Sequence, residues 1–143
     1  MSETSPRVGV IHSRFNENVG ALLLSSCLSE LANLHAAAQA VIPVPGALEL
    51  PWTAKKMAES GAFDVLVALG VVIRGETFHF EMVAQGAILG LVEAQLITGV
   101  PLAMGVLTTD NEDQALVRAA EKGRECAKVA IEMAALVSKK FAP

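Results

Sequence analysis

The chain has 143 residues and a mass of 15.0 kDa, a size that predicts one domain spanning residues 1–143 with a sizeable core. Its net charge of −4 and its lack of an extended basic run argue against nucleic acid as a partner. Hydrophobic residues make up 52% of the chain and charged residues 18%, an apolar excess that favours self-association, although the many alanines account for part of it.

The amino-terminal residues and the cysteines predict a cytoplasmic protein. Residues 1–6 are polar, lack a hydrophobic signal region and are predicted to form a disordered tail. Further along, Gly, Glu or Gln interrupts each apolar stretch before it reaches a membrane-spanning length. Cys27 and Cys126 stand alone, without the spacing of metal ligands, so we expect both to be buried apolar residues in a reducing compartment.

The first half of the chain predicts two strands, each followed by a helix. Residues 8–11 form a short β-type run, and the apolar spacing over residues 18–34 is typical of a helix. A second strand is predicted over residues 38–44. The next helix is predicted over residues 49–60, with Pro51 in its first turn, where a missing N–H is tolerated.

The second half continues the alternation. Residues 63–73 are almost all apolar, as in a central parallel strand covered on both faces. The helix predicted over residues 80–97 has so few polar positions that it should be buried on most sides. A strand over residues 102–107 follows, then a capping-box pattern at residues 109–112 that opens a helix, and a last helix over residues 121–140.

This order of elements predicts the fold class. Alternating strands and helices indicate a three-layer α/β/α sandwich with a central, mainly parallel four-stranded sheet, which is flavodoxin-like. Gly86 and Gly90, four residues apart in the third helix, predict a close approach of another backbone. Ligands of such sheets bind beyond the carboxyl ends of the strands.

Four stretches break the hydrophobic pattern directly after the predicted strands. They are residues 13–16, 45–49, 75–80 and 108–110. In a parallel sheet all four lie at one edge of the molecule. Their convergence therefore predicts the site there.

The third stretch has the features of an anion site beside a histidine. Gly75 allows a close approach of backbone N–H groups, Thr77 can cap the following helix, and the helix dipole favours a phosphate. The same dipole disfavours an imidazolium at His79 and leaves a neutral ring that can take a proton. In the alternative interpretation Thr77 only caps and His79 is a partly buried structural histidine.

The other candidates have alternatives as well. Phe15 could stack on a planar ring or fill the core beneath the first helix, and Glu49 could bind ligand hydroxyls or the first N–H groups of its helix. Arg118 fits a solvated helix face, and His12 and His35 fit structural or surface positions.

Taken together, these residues resemble the lumazine synthase family of riboflavin biosynthesis over residues 8–140. The resemblance is carried by Arg14–Asn16, Val44–Pro51, Ala54–Lys56, Ala68–Thr77, His79–Phe80, Gly99–Pro101, Gly105–Thr109, Gln114–Ala115 and Arg118–Ala119. So many matches in one order are specific to that family.

The resemblance implies an enzyme that condenses 5-amino-6-(D-ribitylamino)uracil with 3,4-dihydroxy-2-butanone 4-phosphate. The product is 6,7-dimethyl-8-ribityllumazine, with release of phosphate and water. Phe15 would stack on the pyrimidine, Glu49 would bind the ribityl chain, and His79 would transfer protons. The resemblance implies further substrate contacts at Asn16, Ala47, Leu48, Val71, Val72, Ile73, Met104 and Lys122, with phosphate held by Gly75, Glu76 and Thr77.

The resemblance also implies an assembly. Arg118 would reach the phosphate from an adjacent subunit of a homopentamer, and some members form larger shells. No metal or organic cofactor is expected, nor is a membrane or nucleic-acid partner. Two alternatives stay open: a shell or binding protein with little turnover, and an archaeal-type riboflavin synthase, against which the Gly75 to His79 pattern argues.

Two features depart from the family pattern. Residues 119–123 are a shortened form of a longer family stretch, in which Lys122 would take the place of the family lysine. Leu48 and Met104 stand where an aromatic residue is common.

Overall fold

The computed structural model describes residues 5–141, which form a four-stranded parallel sheet with helices on both faces. The strand order is β2-β1-β3-β4. The three-layer α/β/α prediction with a flavodoxin-like parallel sheet is confirmed. The strands are β1 (Val8–Ser13), β2 (Ala40–Val44), β3 (Val65–Ile73) and β4 (Leu102–Thr109), and the helices are α1 (Glu17–Asn33), α2 (Leu50–Glu59), α3 (His79–Thr98) and α4 (Glu112–Leu136).

Two shorter helical segments complete the fold. A 3-10 turn at Ala47–Glu49 leads into α2, and a π-helical turn at Val137–Phe141 continues α4. Of the predicted tail over residues 1–6, residues 1–4 lie outside the described residues, while Ser5 and Pro6 have no regular secondary structure.

Strand β3 is an inner strand of the sheet, and its side chains are apolar along its whole length. It pairs with β1 on one side and β4 on the other, so Ala68 lies between Ile11 and Met104. Residues of β3 from Val65 to Val72 are buried. A strand that is covered on both faces requires apolar side chains in both directions, as the unbroken run predicted.

The two faces of the sheet carry separate cores. On one face α1 and α4 contribute Leu23, Cys27, Cys126 and Ala130, all buried. On the other face, α2 and α3 contribute Leu50, Ala54, Ala87 and Leu91. The prediction that both cysteines are buried and unpaired is confirmed.

The last helix differs from its prediction. Asn111, rather than Thr109, is the N-cap, and its side chain accepts a 2.9 Å hydrogen bond from the N–H of Gln114. One helix then runs from Glu112 to Leu136, so the separate start predicted at residue 121 is wrong. Asn111 has the extended backbone that precedes a helix, with φ −150 and ψ 171, and asparagine is a preferred residue at that position. The buried Thr109 hydroxyl instead donates to the carbonyl of Asn111 at 2.9 Å.

The strand ends also move by about two residues from their predictions. Strand β1 continues to Ser13, which pairs with Val44, and β4 continues to Thr109, which pairs with Ile73. Strands β2 and β3 begin at Ala40 and Val65, two residues later than predicted.

Helix α3 is not buried on most sides within one chain, which corrects that prediction. Met82, Leu89, Leu96 and Ile97 are each more than three-fifths exposed. By length and composition alone this helix could cross a membrane, and only 22% of the apolar window is buried. Composition shows only that α3 needs an apolar surrounding, and it does not show what supplies one.

The two glycines of α3 receive side chains rather than another backbone. A β-carbon placed on Gly90 would lie 2.7 Å from Cγ of Pro51, and one placed on Gly86 would lie 3.1 Å from Cδ2 of Leu48. The 3-10 turn and the start of α2 therefore rest directly on α3. This contact fixes Ala47–Glu49 relative to the start of α3.

Candidate functional site

A cavity of about 350 Å³ lies beyond the carboxyl ends of the central strands. Residues from three of the four polar stretches that were predicted to meet at this edge line the cavity. Its lining consists of Phe15, Asn16, Ala47, Val71, Val72, Ile73, Gly75, Thr77, His79, Phe80 and Val83. Nine of these eleven residues are among those predicted for the site, and their chemical roles remain predictions.

The turn after β1 presents Phe15 to the cavity. Asn16 adopts a left-handed conformation with φ 61, and its side-chain N–H donates to the carbonyl of Val71 at 3.1 Å. This bond ties the turn to the end of β3. Phe15 is 67% exposed, so the interpretation of Phe15 as a core residue is wrong.

The 3-10 turn places Glu49 near Phe15. A β-carbon on Gly46 would lie 2.8 Å from the Phe15 ring and 3.2 Å from Oε1 of Glu49. Glu49 is exposed and makes no side-chain cap bond to α2, so the alternative that it caps this helix is wrong. Leu48 points to Gly86 and does not line the cavity.

The turn formed by residues 75–78 leads into α3, which starts at His79. Phe78 is the N-cap residue and supplies no side-chain bond, so Thr77 lies one residue before the helix cap. The Thr77 hydroxyl accepts a 3.4 Å hydrogen bond from the N–H of His79. Because the first N–H groups of a helix lack intrahelical partners, this terminus favours an anion.

His79 is exposed at the cavity wall, so the interpretation of it as a partly buried histidine is wrong. Gly75 is also exposed, and a β-carbon there would meet nothing within 4 Å. Glu76 lies in the same turn but does not line the cavity. The turn is therefore open on the side from which a ligand would arrive.

Arg74 anchors this turn, a role that sequence reasoning missed. Its Nε donates to Oδ1 of Asp110 at 2.9 Å, its Nη1 pairs with Oε1 of Glu81, and its Cζ lies 4.4 Å from the Phe80 ring centre. The hydrogen bond from Arg74 holds the pKa of Glu81 below its ordinary value and raises that of Arg74 itself. The only signal in the sequence was the opposite charge of Arg74, after β3, and of Asp110 and Glu81, after β4 and at the start of α3.

Phe80 and Val83 line the cavity but were not predicted as substrate contacts, although Phe80 belongs to the predicted 75–80 stretch. A helical projection puts Val83, four positions after His79, on the same side as the histidine, and it turns Phe80 away by about 100°. Both are partly buried against the core between the sheet and α3. They give the cavity an apolar wall beside the histidine.

Arg118 and Lys122 lie elsewhere. They are one turn apart on α4 and line a second cavity of about 340 Å³ beside β4, together with Val106–Thr109, Glu121 and Glu125. Arg118 donates from Nη1 to the carbonyl of Gln114 at 2.9 Å. Met104 lies within β4, packs against the core facing α3, and reaches neither cavity. Within one chain, Arg118, Lys122 and Met104 therefore do not line the cavity that contains His79.

The shortened stretch over residues 119–123 is helical. It lies inside α4, where Ala119 and Gly123 are buried against the rest of the fold. Lys122 therefore projects from a helix turn rather than from a loop. In residues 5–141, no group of three or more His, Cys, Asp or Glu side chains is placed to hold a metal ion.

Comparison with known proteins shows the family to which the chain belongs. The profile of the 6,7-dimethyl-8-ribityllumazine synthase family matches residues 5–138. Proteins named 6,7-dimethyl-8-ribityllumazine synthase from an Azoarcus species and from Burkholderia multivorans are each 51% identical to this chain, over 92% and 91% of it and 85% and 77% of their own lengths. The one from Cupriavidus necator is 50% identical over 92% of the chain and 81% of its own length. With the anchor residues found at the strand ends where the site lies, the chain belongs to the 6,7-dimethyl-8-ribityllumazine synthase family.

Proposed function

We propose that this chain is an enzyme that condenses 5-amino-6-(D-ribitylamino)uracil with 3,4-dihydroxy-2-butanone 4-phosphate in riboflavin biosynthesis. The products are 6,7-dimethyl-8-ribityllumazine, phosphate and water. The observation that carries this proposal is the single cavity that brings Phe15, the 75–78 turn and His79 together. Identity of about half to relatives that carry this name supports the same reaction.

The pyrimidine substrate fits the end of the cavity near Phe15. An exposed Phe ring offers a flat apolar face to a planar ring. Glu49 lies beside the same glycine as that ring and has no helix-capping role, so its carboxylate is free to accept hydrogen bonds from ribityl hydroxyls. Ala47 and the ends of β3 form the floor.

The phosphorylated substrate fits the other end. Backbone N–H groups of residues 75–77 and of the first turn of α3 supply donors and the positive end of a helix dipole. His79 is the first residue of that helix, which supports a position beside the departing phosphate. We assign it the proton transfers that accompany imine formation, loss of phosphate and ring closure.

An assay of the purified chain tests the reaction. Product absorbance is followed with both substrates, and the spontaneous reaction is subtracted. We expect acceleration by the intact protein and a loss of roughly 100-fold or more in His79→Ala, within the range for an acid–base residue. His35→Asn is the matched control, because His35 is exposed, has φ 60 and lies outside the cavity, and Asn accepts that conformation. A rate equal to the spontaneous one would exclude the proposed reaction.

We also propose that the chain works as a homopentamer with sites shared between neighbours. The exposed apolar residues of α3 favour a protein surface against that helix. Arg118 lines a cavity separate from that of His79, so it could meet the phosphate only from a neighbouring copy. A head-to-tail ring supplies each site with residues from two copies.

Mixing of two inactive variants tests this sharing. His79→Ala and Arg118→Ala subunits are unfolded together, mixed in equal amounts and refolded. In a ring with shared sites, about a quarter of the sites would combine an intact His79 with an intact neighbouring Arg118. Each variant refolded alone is the control. Mixtures no more active than the variants alone would contradict the shared site.

The cytoplasm is the location that we propose. Both thiols are buried and unpaired, which suits a reducing compartment, and a neighbouring subunit accounts for the apolar face of α3 without lipid. Fractionation of cells that express the chain tests this, since recovery in the membrane fraction would contradict it.

A further inference from the structure

The guanidinium of Arg74 connects three elements at the edge of the site. Its backbone N–H donates to the carbonyl of Thr109 at 2.8 Å and so extends the pairing of β3 with β4. Its side chain then pairs with Asp110, directly after β4, and with Glu81, in the first turn of α3. The Phe80 ring lies against the guanidinium face, 4.4 Å from Cζ. One side chain thus fixes where α3 starts relative to the sheet.

The turn between Arg74 and His79 has little other support. Within residues 5–141, its hydrogen bonds run to its own residues and the first turn of α3: His79 to Thr77 at 3.4 Å and Met82 to Phe78 at 3.4 Å. Phe78 is 69% exposed, and the space around Gly75 is open. The Arg74–Glu81 pair links the residue before this turn to the first turn of α3, directly after it.

We propose that Arg74 is a positioning residue, which holds the 75–78 turn and His79 in register with the end of β3 through Glu81 and Asp110. The inference rests on the proposed function, and it assigns Arg74 no contact with substrate. Rate depends steeply on such placement, because a shift of about 1 Å can lower it roughly 100-fold.

The charge of the cluster separates this role from that of a phosphate ligand. Two carboxylates face one guanidinium, so the three side chains together carry a net negative charge that does not attract an anion. The hydrogen bond from Arg74 holds the pKa of Glu81 below its ordinary value, which keeps a negative group beside Arg74. The planar guanidinium can bridge two carboxylates, which a lysine ammonium does less well.

Arg7 offers a matched control. It pairs with Asp64 through Nη2 at 2.9 Å and Nε at 3.3 Å, and it is 46% exposed, against 44% for Arg74. Arg7 and Asp64 directly precede β1 and β3, so this pair lies at the amino-terminal ends of the strands, opposite the cavity. Arg7→Ala therefore removes a comparable ion pair that lies far from the site.

Steady-state kinetics with each substrate varied in turn provide the main test. We expect Arg74→Ala to lower kcat about 10- to 100-fold and to raise KM for the phosphorylated butanone, with KM for the pyrimidine within about twofold of the wild type. Arg7→Ala should leave all three constants unchanged. Equal constants in Arg74→Ala and Arg7→Ala would overturn the proposal.

Glu81→Gln distinguishes positioning from direct binding, and it tests the proposal even if Arg74→Ala does not fold. If Arg74 positions the turn, loss of the Glu81 charge loosens it and lowers kcat by several-fold. If Arg74 binds phosphate, the same change frees the guanidinium and lowers KM for the phosphorylated substrate. The second result would overturn the proposal.

Imidazole NMR of the whole protein gives a readout that does not need catalysis. The His79 resonances, assigned with His79→Gln, should shift or broaden in Arg74→Ala and stay unchanged in Arg7→Ala. Unchanged His79 resonances in Arg74→Ala would overturn the proposal. A wild-type protein that makes no product would remove the proposed function, whereas a shifted His79 signal would still support the positioning of the turn by Arg74.

Discussion

The ring of Phe15 lies against the α-carbon of Gly46. The space between them holds the glycine hydrogen but would not hold a methyl group. A β-carbon at Gly46 would come within 2.8 Å of Cδ2 and 2.9 Å of Cε2 of the ring. Gly46 has an extended backbone, φ −147 and ψ −179, which any residue can adopt. The requirement for glycine here is therefore steric, and it fixes where the ring can stand.

Gly46→Ala should displace the Phe15 ring and weaken binding of the pyrimidine. Because the ring is 67% exposed, it can swing outwards at little cost in stability. We expect KM for the pyrimidine to rise roughly three- to tenfold, the equivalent of one aromatic pair of about 0.5–1.5 kcal/mol. KM for the phosphorylated substrate should stay near its wild-type value.

Gly20→Ala is the control for that change. A β-carbon at Gly20 would lie 3.8 Å from the carbonyl of Ser13, an ordinary contact, and Gly20 lies inside α1. We expect unchanged kinetics and a stability gain of about 0.5–1 kcal/mol from helix propensity. If Gly46→Ala leaves pyrimidine binding as intact as Gly20→Ala does, the steric explanation is wrong.

Gly123→Ala should destabilise the fold, although alanine is the better helix former by about 1 kcal/mol. A β-carbon there would collide with Oγ of Ser26 and the carbonyl of Leu23, and it would lie 2.9 Å from the backbone nitrogen of Cys27. Two of these atoms belong to the α1 backbone, so α1 and α4 would have to separate. We expect a net loss of about 1–3 kcal/mol or more in denaturant unfolding.

The variant Ser26→Ala checks which contact matters. It removes the nearest atom and leaves the backbone of Leu23 and Cys27 in place. The double variant should therefore stay destabilised relative to Ser26→Ala alone. A double variant as stable as Ser26→Ala would mean that the hydroxyl, rather than the helix backbone, sets the limit.

Stability should fall at alkaline pH because of the two thiols. Burial raises the pKa of Cys27 to about 12 and that of Cys126 to about 11, from an ordinary value of 9.0. Above pH 9 the unfolded chain loses thiol protons that the native chain keeps, so unfolding is favoured as pH rises. Each pH unit in that window should remove up to roughly 1.4 kcal/mol per thiol.

Denaturant unfolding at pH 8 and pH 10.5 measures this effect, with Cys27→Ala/Cys126→Ala as the control. The wild type should lose more stability between the two pH values than the double variant does. Equal losses would show that other groups cause the alkaline effect. Below pH 9 the thiols should leave the pH dependence flat.

Leu89→Glu should weaken self-association and leave the chain folded. Leu89 is 66% exposed on α3, so its own chain loses little packing, whereas a neighbour seated there would have to bury a carboxylate. Analytical ultracentrifugation should show a shift towards smaller species with unchanged helical circular dichroism. Ala62→Glu, in the exposed turn before β3, is the control. An unchanged size in Leu89→Glu would contradict an interface at this position.

The sequence predicts the elements well where composition and length agree. The unbroken apolar run at β3 is short and rich in valine, which favours a strand covered on both faces, and it lies in the middle of the sheet as expected. The predicted start of α4 is wrong because Thr109 and Asn111 both suit an N-cap, and only the burial of the Thr109 hydroxyl in the sheet decides between them. A local pattern does not contain that tertiary contact.

The site shows the same limit. Polar residues at the strand ends mark the position of Phe15, Gly75 and His79, because parallel topology alone brings strand ends together. The pairing of Arg74 with Glu81 and Asp110 depends on the distance between a helix start and a neighbouring strand, which sequence spacing does not set. The family resemblance predicted which residues would bind substrate, and it assigned no role to Arg74.

Helix α3 sets the distance between the two ends of the site. His79 begins the helix, and seven residues later Gly86 receives Leu48 of the 3-10 turn, about 10 Å along the axis at 1.5 Å per residue. One residue inserted between these positions would turn His79 by about 100° around that axis. The length of this helical segment is therefore constrained more tightly than its composition, and changes in chain length should be confined to regions outside the helix, such as the turn after Thr98.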